Sequence, residues 1–338
     1  MKGCAFYPDF FKNFFDTMNW REELFLKEKE DFDREKEKGK DPIYHIMADI
    51  KDPALIAIDD MYVAADNLSI KNAKLHQYIL FLLSLFGVAV SIAFFAYFEG
   101  EMHIMIFICL ILLLYLIFIE KKSKELGCHR KYLEYRVLAE TLRVQFFLSL
   151  SGMKEGVLEL LPWFTKQGIP WIENIVKSLP IDDVNERKPI IYYWILNQKT
   201  YHEGALISAE KAYKAQINKK NRAIIITGIA FVIGLLFEIF MYVYSPNIDA
   251  HIIRLVLKAV IGIASVYTLF LESYYGKMSL YEKINDHKRM ILLYSKIEKE
   301  IRNEGEKPAI ILELARECLI ENSAWYAYQS KNKPELVL

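Results

Sequence analysis

The sequence has few cysteines, no excess of charge of either sign, and none of the short motifs that mark common catalytic sites. Only 4 of its 338 residues are cysteines. They are Cys4, Cys109, Cys128 and Cys318. No CxxC pair or Cys/His cluster occurs, so neither a disulfide framework nor a zinc site is predicted. The 43 Lys and Arg residues are balanced by 43 Asp and Glu. The basic surplus that is typical of nucleic-acid-binding proteins is therefore missing, and no nucleic-acid partner is expected.

Enzyme signatures are absent as well. The chain contains no GxxxxGK[ST], GxGxxG or GxSxG motif, and His202-Glu203 is not followed by a second histidine at zincin spacing. We therefore expect a protein that is not an enzyme and that holds no cofactor or metal.

Long apolar segments are what the sequence does contain. Four of them approach or reach the roughly 20 residues that a helix needs to cross a hydrocarbon core of about 30 Å. They are residues 78–98, 102–119, 223–244 and 252–271. The pattern predicts an all-α integral membrane protein with four transmembrane helices in two hairpins. The lipid bilayer is its first expected partner.

The flanking charges predict the orientation. Lys and Arg residues cluster at one end of the segments: Lys71, Lys74, Lys121, Lys122, Lys124, Arg130, Lys131, Lys214, Lys219, Lys220, Arg222, Lys277 and Lys283. The other end has Glu99–Glu101 and residues 245–251, with no Lys or Arg. The positive-inside rule then predicts a multi-pass protein of the inner membrane with both termini in the cytoplasm. The short Glu99–Glu101 connection predicts that the first two helices are antiparallel neighbours.

The sequence divides into four stretches of different composition. Residues 1–47 are an amphipathic and charged segment, 48–150 and 199–338 are hairpins with helical extensions, and 151–198 is a packed linker rich in Pro and Trp. One predicted helical face in the first stretch is apolar, consisting of Phe10, Phe11, Phe14, Phe15 and Met18. It can pack on the helical extensions or lie in the bilayer interface. The mixed-charge run at 27–40 is typical of a solvated helix or tether.

The two hairpins form an internal repeat at an offset of roughly 144–150 residues. Both run in the same direction, so the repeats are parallel, and an alternating-access site between inverted repeats is not favoured. Apolar stripes with helical spacing follow each hairpin. They are Tyr135, Leu138, Leu142 and Phe146, then Met290, Leu293, Ile297 and Ile301. An isolated helix cannot bury such a stripe, so the extensions are predicted to pack as a cytoplasmic helical bundle.

Three stretches resemble a known family. They are CHRKYLEYRVLAETLRVQFFLSLSG (Cys128–Gly152), WILNQKTY (Trp194–Tyr201) and LELARECLIENSAWYAYQSKNKPEL (Leu312–Leu336). They are similar to segments of the bacterial SLATT-type transmembrane effectors, in the two-hairpin form. The resemblance covers roughly residues 48–336.

The resemblance implies a prokaryotic defence effector that permeabilises the inner membrane when a nucleotide-type signal arrives. In that family a SLOG ligand-sensing domain often precedes the membrane part. The 77 residues before the first apolar segment are too few for such a domain and lack a glycine-rich strand–helix region. The resemblance then implies a separate sensor protein, or sensing of a nucleotide second messenger by the helices themselves.

Three ionisable residues lie inside the apolar segments, where charge is costly and therefore indicates function. Glu238 is in the third segment, and Arg254 and Lys258 are in the fourth. Glu238 and Lys258 each lie six residues, about 9 Å, from the same membrane boundary. This depth predicts an ion pair between them, either a structural pair or part of a wet path, with Arg254 as an interfacial anchor.

Small residues predict where membrane helices approach closely. Those in the first, third and fourth segments are Ser84, Gly87, Ser91, Ala230, Gly234, Gly262 and Ser265. The second segment offers almost none. The pattern predicts that the first, third and fourth helices are central and that the second faces lipid; alternatively, the small residues are scattered and share no seam.

Two function classes are consistent with these features. The first is a signal-gated antiviral effector that forms homo-oligomeric pores or ion channels and depolarises the inner membrane. The second is a non-conducting membrane anchor or scaffold whose cytoplasmic bundle binds a partner protein. A small transporter is less favoured, because few polar residues are available to line a substrate site.

Overall fold

The computed structural model describes residues 30, 34–35, 46–47, 49–100, 102–169, 171–244 and 251–331. Every regular element in these residues is helical, and none of them is in a strand. The predicted all-α class is confirmed. The predicted face formed by Phe10, Phe11, Phe14, Phe15 and Met18 lies outside the described residues.

The described chain contains a series of α-helices with two short helical stretches of other types. The α-helices are α1 (Pro53–Phe98), α2 (Met105–Leu126), α3 (Cys128–Ser151), α4 (Val157–Leu160), α5 (Trp163–Gly168), α6 (Trp171–Lys177), α7 (Asn197–Tyr244), α8 (His251–Met278), α9 (Leu280–Glu304) and α10 (Pro308–Gln329). A 3₁₀ turn covers Ile181–Asp183, and a π-helical stretch at Ile191–Leu196 leads directly into α7.

The 46-residue helix α1 begins where its sequence provides a start signal. Pro53 occupies the first position, where no backbone N–H is needed. The Asp52 Oδ1 atom accepts hydrogen bonds from the backbone N–H groups of Ala54 at 2.9 Å and Leu55 at 3.4 Å, which caps the helix. The other carboxylate oxygen, Oδ2, accepts from the N–H groups of Asn185 at 2.6 Å and Glu186 at 2.9 Å. One side chain therefore caps α1 and ties it to the linker.

We expect Asp52→Ala to lower the free energy of unfolding by about 2 kcal/mol, the upper end of the range for a lost N-cap, because two linker N–H groups lose their acceptor too. Burial alone raises the Asp52 pKa, but these four N–H groups outweigh it and hold the pKa below 3.8. The stabilisation is therefore complete above pH 3.8 and is lost as the pH falls through the lower value in the folded protein. Thermal unfolding in detergent at neutral and acidic pH measures both effects. Equal midpoints for Asp52→Ala and wild type at neutral pH would contradict the prediction.

The order and length of the helices repeat once along the chain. A helix of 46 residues, one of 22 and one of 24 are followed, after the linker, by helices of 48, 28 and 25 residues. The second and third helices of each repeat are separated by a single residue with left-handed backbone. It is Gly127 (φ 58°) in the first repeat and Ser279 (φ 50°) in the second. This shared break supports the predicted parallel duplication.

The described residues form two compact units. The core unit contains the described residues up to Leu75, then Cys128–Ala205 and those from Asn285 onward. The apolar unit contains His76–Gly127 and Leu206–Ile284. The long helices α1 and α7 each contribute a first part to the core unit and a second part to the apolar unit.

Helix α3 is the central element of the core unit. Nearly all of its side chains from Leu133 to Leu150 are buried, packed with buried residues of α1, α6, α9 and α10. The two predicted stripes belong to this core: Tyr135, Leu138, Leu142, Phe146, Met290, Ile297 and Ile301 are buried, and Leu293 is partly buried. Their predicted role in core packing is confirmed.

The linker folds as its prolines predict. Its helices α4, α5 and α6 are only 4, 6 and 7 residues long, because proline interrupts longer helices. Trp194 is fully buried and stacks on Phe147, with ring centroids 5.0 Å apart and an interplanar angle of 4°. Trp171 is also buried and donates its indole N–H to Glu134 Oε2 at 3.2 Å. The predicted ordered linker therefore contributes two of its tryptophans to the core.

Three described helical stretches are long and apolar enough to span a membrane. They are α1, the stretch Ile191–Tyr244 that contains α7, and the stretch His251–Glu304 that contains α8 and α9. The predicted span at 102–119 is not among them. Its helix α2 begins only at Met105, and Glu120 ends its apolar part, which leaves about 22 Å of apolar helix. The fourth span therefore remains a prediction.

Candidate functional site

The three charged residues of the predicted spans, Glu238, Arg254 and Lys258, all form ion pairs in the apolar unit. Their partners differ from those predicted from depth in the membrane. Arg254 donates from Nε to Glu238 Oε1 at 2.7 Å and from a terminal nitrogen to Glu238 Oε2 at 2.8 Å. This bidentate geometry is the arrangement that a planar guanidinium favours with a carboxylate. The predicted Glu238–Lys258 pair is therefore wrong, and Arg254 is a direct partner rather than a separate anchor.

Lys258 pairs instead with Glu99, a residue that sequence reasoning assigned only to the connection between the first two helices. The Lys258 Nζ atom lies 2.7 Å from Glu99 Oε2. Arg254 and Lys258 are separated by one helical turn on α8, so both cations lie on one side of that helix. The predicted partner of Glu238 was wrong because it rested on the number of residues from the membrane boundary. An error of one helical turn, about 5.4 Å, in that depth is enough to replace Arg254 by Lys258.

These two ion pairs are only half covered by the chain itself. The side chains of Glu238, Arg254 and Lys258 are 52%, 47% and 58% exposed. Charges exposed at this level are costly where the surroundings are hydrocarbon. The pairs can fix the positions of helices α1, α7 and α8, and they can also interact with water or with another copy of the chain.

Two of the predicted small residues lie at helix contacts in the apolar unit. A Cβ atom built on Gly262 of α8 would lie 3.3 Å from the Phe95 ring of α1, and one on Gly234 of α7 would lie 3.8 Å from Ile261 of α8. Ala230 is buried on the same side of α7 as Gly234. Gly234 and Gly262 therefore lie at contacts between helices, and a central position of the first, third and fourth helices stays a prediction.

The small residues of the first helix have a more local role. Ser91 donates its hydroxyl hydrogen to the carbonyl oxygen of Gly87 at 3.1 Å, within the helix itself. A Cβ atom on Gly87 would meet no atom of the described residues within 4 Å. Ser84, and Ser265 on α8, are half-buried. Gly87 therefore marks no close helix approach.

The second helix, which was predicted to face lipid, exposes most of its apolar side chains, among them Phe107, Ile111 and Leu114. It also has a buried side. Helix α2 buries Cys109, Leu116 and Ile119. It packs on α1, as the ring contact of Tyr115 with Phe86 shows at a centroid distance of 4.8 Å. The most apolar stretch of His251–Glu304 has none of its residues buried. The tight turn between α1 and α2 enforces their contact, whatever the size of the side chains.

A second group of charges lies in the core unit, on α3 and the first part of α1. Glu140 contacts Arg143 and lies 2.6 Å from an Arg136 nitrogen. Arg136 also donates to Asp66 of α1 at 3.1 Å. Burial alone raises the pKa of Glu140, but Arg136 and Arg143 outweigh it and hold that pKa below 4.5. The cluster is a group of opposite charges that joins α1 to α3.

A histidine pair lies beside this cluster. The Nδ1 atoms of His202 on α7 and His287 on α9 are 3.0 Å apart, so one ring donates a proton and the other accepts it. Burial, followed by His287 and Arg143, lowers the pKa of His202 to about 4. The His202 ring is therefore neutral near pH 7, and the pair forms a hydrogen bond between two helices. No short motif in the sequence indicated it.

The described residues hold no group of three or more His, Cys, Asp or Glu side chains placed to bind a metal ion. The chain matches no family model, no curated protein and no solved structure.

Proposed function

We propose that this protein is a signal-gated effector of prokaryotic antiviral defence that oligomerises in the inner membrane and depolarises it. The observation that supports this most directly is the set of half-exposed ion pairs, Glu238–Arg254 and Glu99–Lys258, carried by helices of membrane-spanning character. Such charges are stabilised when they face water or other subunits. An assembly of several copies around a wet path provides both.

The need for several copies follows from the composition of the helices. The outer surface of α7 is largely apolar from Ala223 to Tyr244, with Ile225, Phe231 and Leu236 each more than half exposed. A single copy has too few polar side chains to enclose a path for ions. Activation is then a change from separate or closed copies to a conducting assembly, triggered by a sensor protein or a nucleotide signal.

The test is to express the full chain in a bacterium and to follow a voltage-sensitive dye, with and without phage challenge and neighbouring genes. We expect depolarisation that depends on the signal. Lys258→Ala should change its extent, since Glu99 then lacks its cation, whereas Lys122→Ala should not. Lys122 is the matched control because its ion pair with Glu125 at 2.7 Å lies in a polar part of α2. An unchanged membrane potential, with the protein present in the membrane, would reject the proposal.

The alternative is a non-conducting scaffold whose core unit binds a partner protein. An exposed aromatic pair on α5 favours it: Trp163 is 74% exposed and Phe164 47%. Large exposed aromatic side chains are common in protein interfaces. If depolarisation is absent, Trp163→Ala should abolish co-purification of a partner that the wild-type chain retains.

A further inference from the structure

The apolar unit contains an open cleft between the last part of α1 and the middle of α8. Its volume is about 480 Å³, which lies within the range of small-molecule sites. Its apolar walls include Val90, Phe94 and Phe98 of α1, and Gly262, Ile263 and Val266 of α8. All the residues that line the cleft belong to the apolar unit.

The shape of the cleft depends on a glycine and on two exposed rings. Gly262 lies against Phe95 so closely that a Cβ atom there would be 3.3 Å from the ring. Phe94 and Phe98 stack with centroids 6.2 Å apart and are 53% and 69% exposed. The chain itself therefore leaves an apolar surface that another apolar group can cover.

The length of the cleft matches one leaflet of a bilayer. From Val90 to Glu99 the helix rises about 14 Å, and half of a hydrocarbon core is about 15 Å. Glu99 directly follows the apolar part of α1, so one end of the cleft is at the membrane boundary and the other is near the midplane. The acyl chain of a lipid has the chemistry and the length to occupy it.

The charges at the boundary end suggest which headgroup belongs there. The Glu99 carboxylate and the Lys258 ammonium are 2.7 Å apart, and the Lys258 side chain is 58% exposed. A headgroup with one phosphate and one primary ammonium complements both charges. Its phosphate approaches Lys258, and its ammonium donates hydrogen bonds to Glu99. The nearby cation Arg254 is already bound to Glu238 on both carboxylate oxygens.

We propose that this cleft binds one zwitterionic phospholipid with a primary ammonium headgroup, with an acyl chain between α1 and α8 and the headgroup on Glu99 and Lys258. The site goes beyond the proposed function and requires only that the two helices lie in a membrane. It gives the protein a lipid that bridges the first and second hairpins.

The binding test uses the full-length protein in detergent and native mass spectrometry. The protein is titrated with phosphatidylethanolamine, phosphatidylcholine and phosphatidylglycerol of identical acyl chains. We expect one phosphatidylethanolamine per chain, bound about tenfold more tightly than the others. A choline group has no N–H to donate to Glu99, and a glycerol headgroup has no cation.

Variants separate the two parts of the site. Glu99→Gln should remove the preference for phosphatidylethanolamine, because the ammonium then meets a neutral amide instead of a carboxylate. Gly262→Leu should weaken the binding of all three lipids by filling the cleft. Ser91→Leu, from the opposite wall, fills the same space if Gly262→Leu does not fold. The control is Leu235→Phe on the exposed surface of α7, where the side chain is 62% exposed; it should bind lipid as the wild type does.

Equal affinity of the wild-type protein for the three lipids would overturn the headgroup assignment. Wild-type affinity in both Gly262→Leu and Ser91→Leu would overturn the cleft. A chain that binds phosphatidylethanolamine but never depolarises cells would refute the proposed function alone. A chain that depolarises cells without any lipid preference would refute the lipid site alone.

Discussion

Replacing Glu140 by glutamine is expected to lower the free energy of unfolding of the core unit by about 3–5 kcal/mol. The Glu140 side chain is 12% exposed and lies between two guanidinium groups, those of Arg136 and Arg143. Without its negative charge, Arg136 keeps Asp66, but Arg143 loses its carboxylate in a buried position. Removing one member of a buried ion pair is costly because the other charge remains desolvated.

The measurement is thermal unfolding of the purified protein in detergent, in which we expect the midpoint to fall by about 10 °C. Glu173→Gln is the matched control, since Glu173 forms an exposed ion pair with Lys177 one turn away and exposed pairs contribute little. A shift for Glu140→Gln no larger than that of the control would show that the cluster does not stabilise the core unit.

The same variant should also change how stability depends on pH. The pKa of Glu140 in the folded protein is below 4.5, so its stabilisation is complete above that value and disappears as the pH falls through the lower one. Glu140→Gln lacks this group, so part of the acid destabilisation seen in the wild type should be missing. Identical pH profiles would contradict the assignment of the lowered pKa.

Reversing a single charge of the Glu238–Arg254 pair is expected to reduce signal-dependent depolarisation about tenfold or more. In Glu238→Arg two guanidinium groups replace a bidentate pair of 2.7 and 2.8 Å. Like charges placed this close repel each other and oppose the packing of α7 on α8. The double variant Glu238→Arg, Arg254→Glu restores opposite charges and should recover most of the activity.

The measurement is dye-reported depolarisation at equal membrane abundance, with exchange of Lys122 and Glu125 on α2 as the control. Wild-type depolarisation in the single reversal would rule out a role for the pair. Recovery in the double variant distinguishes the pairing from the individual charges. If the pair also lines the ion path, Arg254→Gln should change the ratio of cation to anion leak; a purely structural pair would change only the amount of protein.

The helices themselves were predictable because their determinants are local. The apolar length of 78–98, the break near Gly100 and the prolines of 151–198 each act within a few residues, and the structure has α1, its turn and the short helices α4–α6 at those places. The stripe from Tyr135 to Phe146 likewise predicted a buried face correctly. The start of α2 at Met105 could not be read from the sequence, because Met102 and Ile104 before it are as apolar as the residues after it.

The sequence by itself determined that this is an all-α chain with helices long and apolar enough to span a membrane, since segment length and residue spacing suffice for that. Only the tertiary structure decided which charges meet. Glu238 binds Arg254 rather than Lys258 because helix register selects between cations one turn apart. The Arg136–Glu140 pair is part of a buried cluster because α3 is surrounded by other helices. Register and enclosure depend on residues far apart in the chain, and no local pattern encodes them.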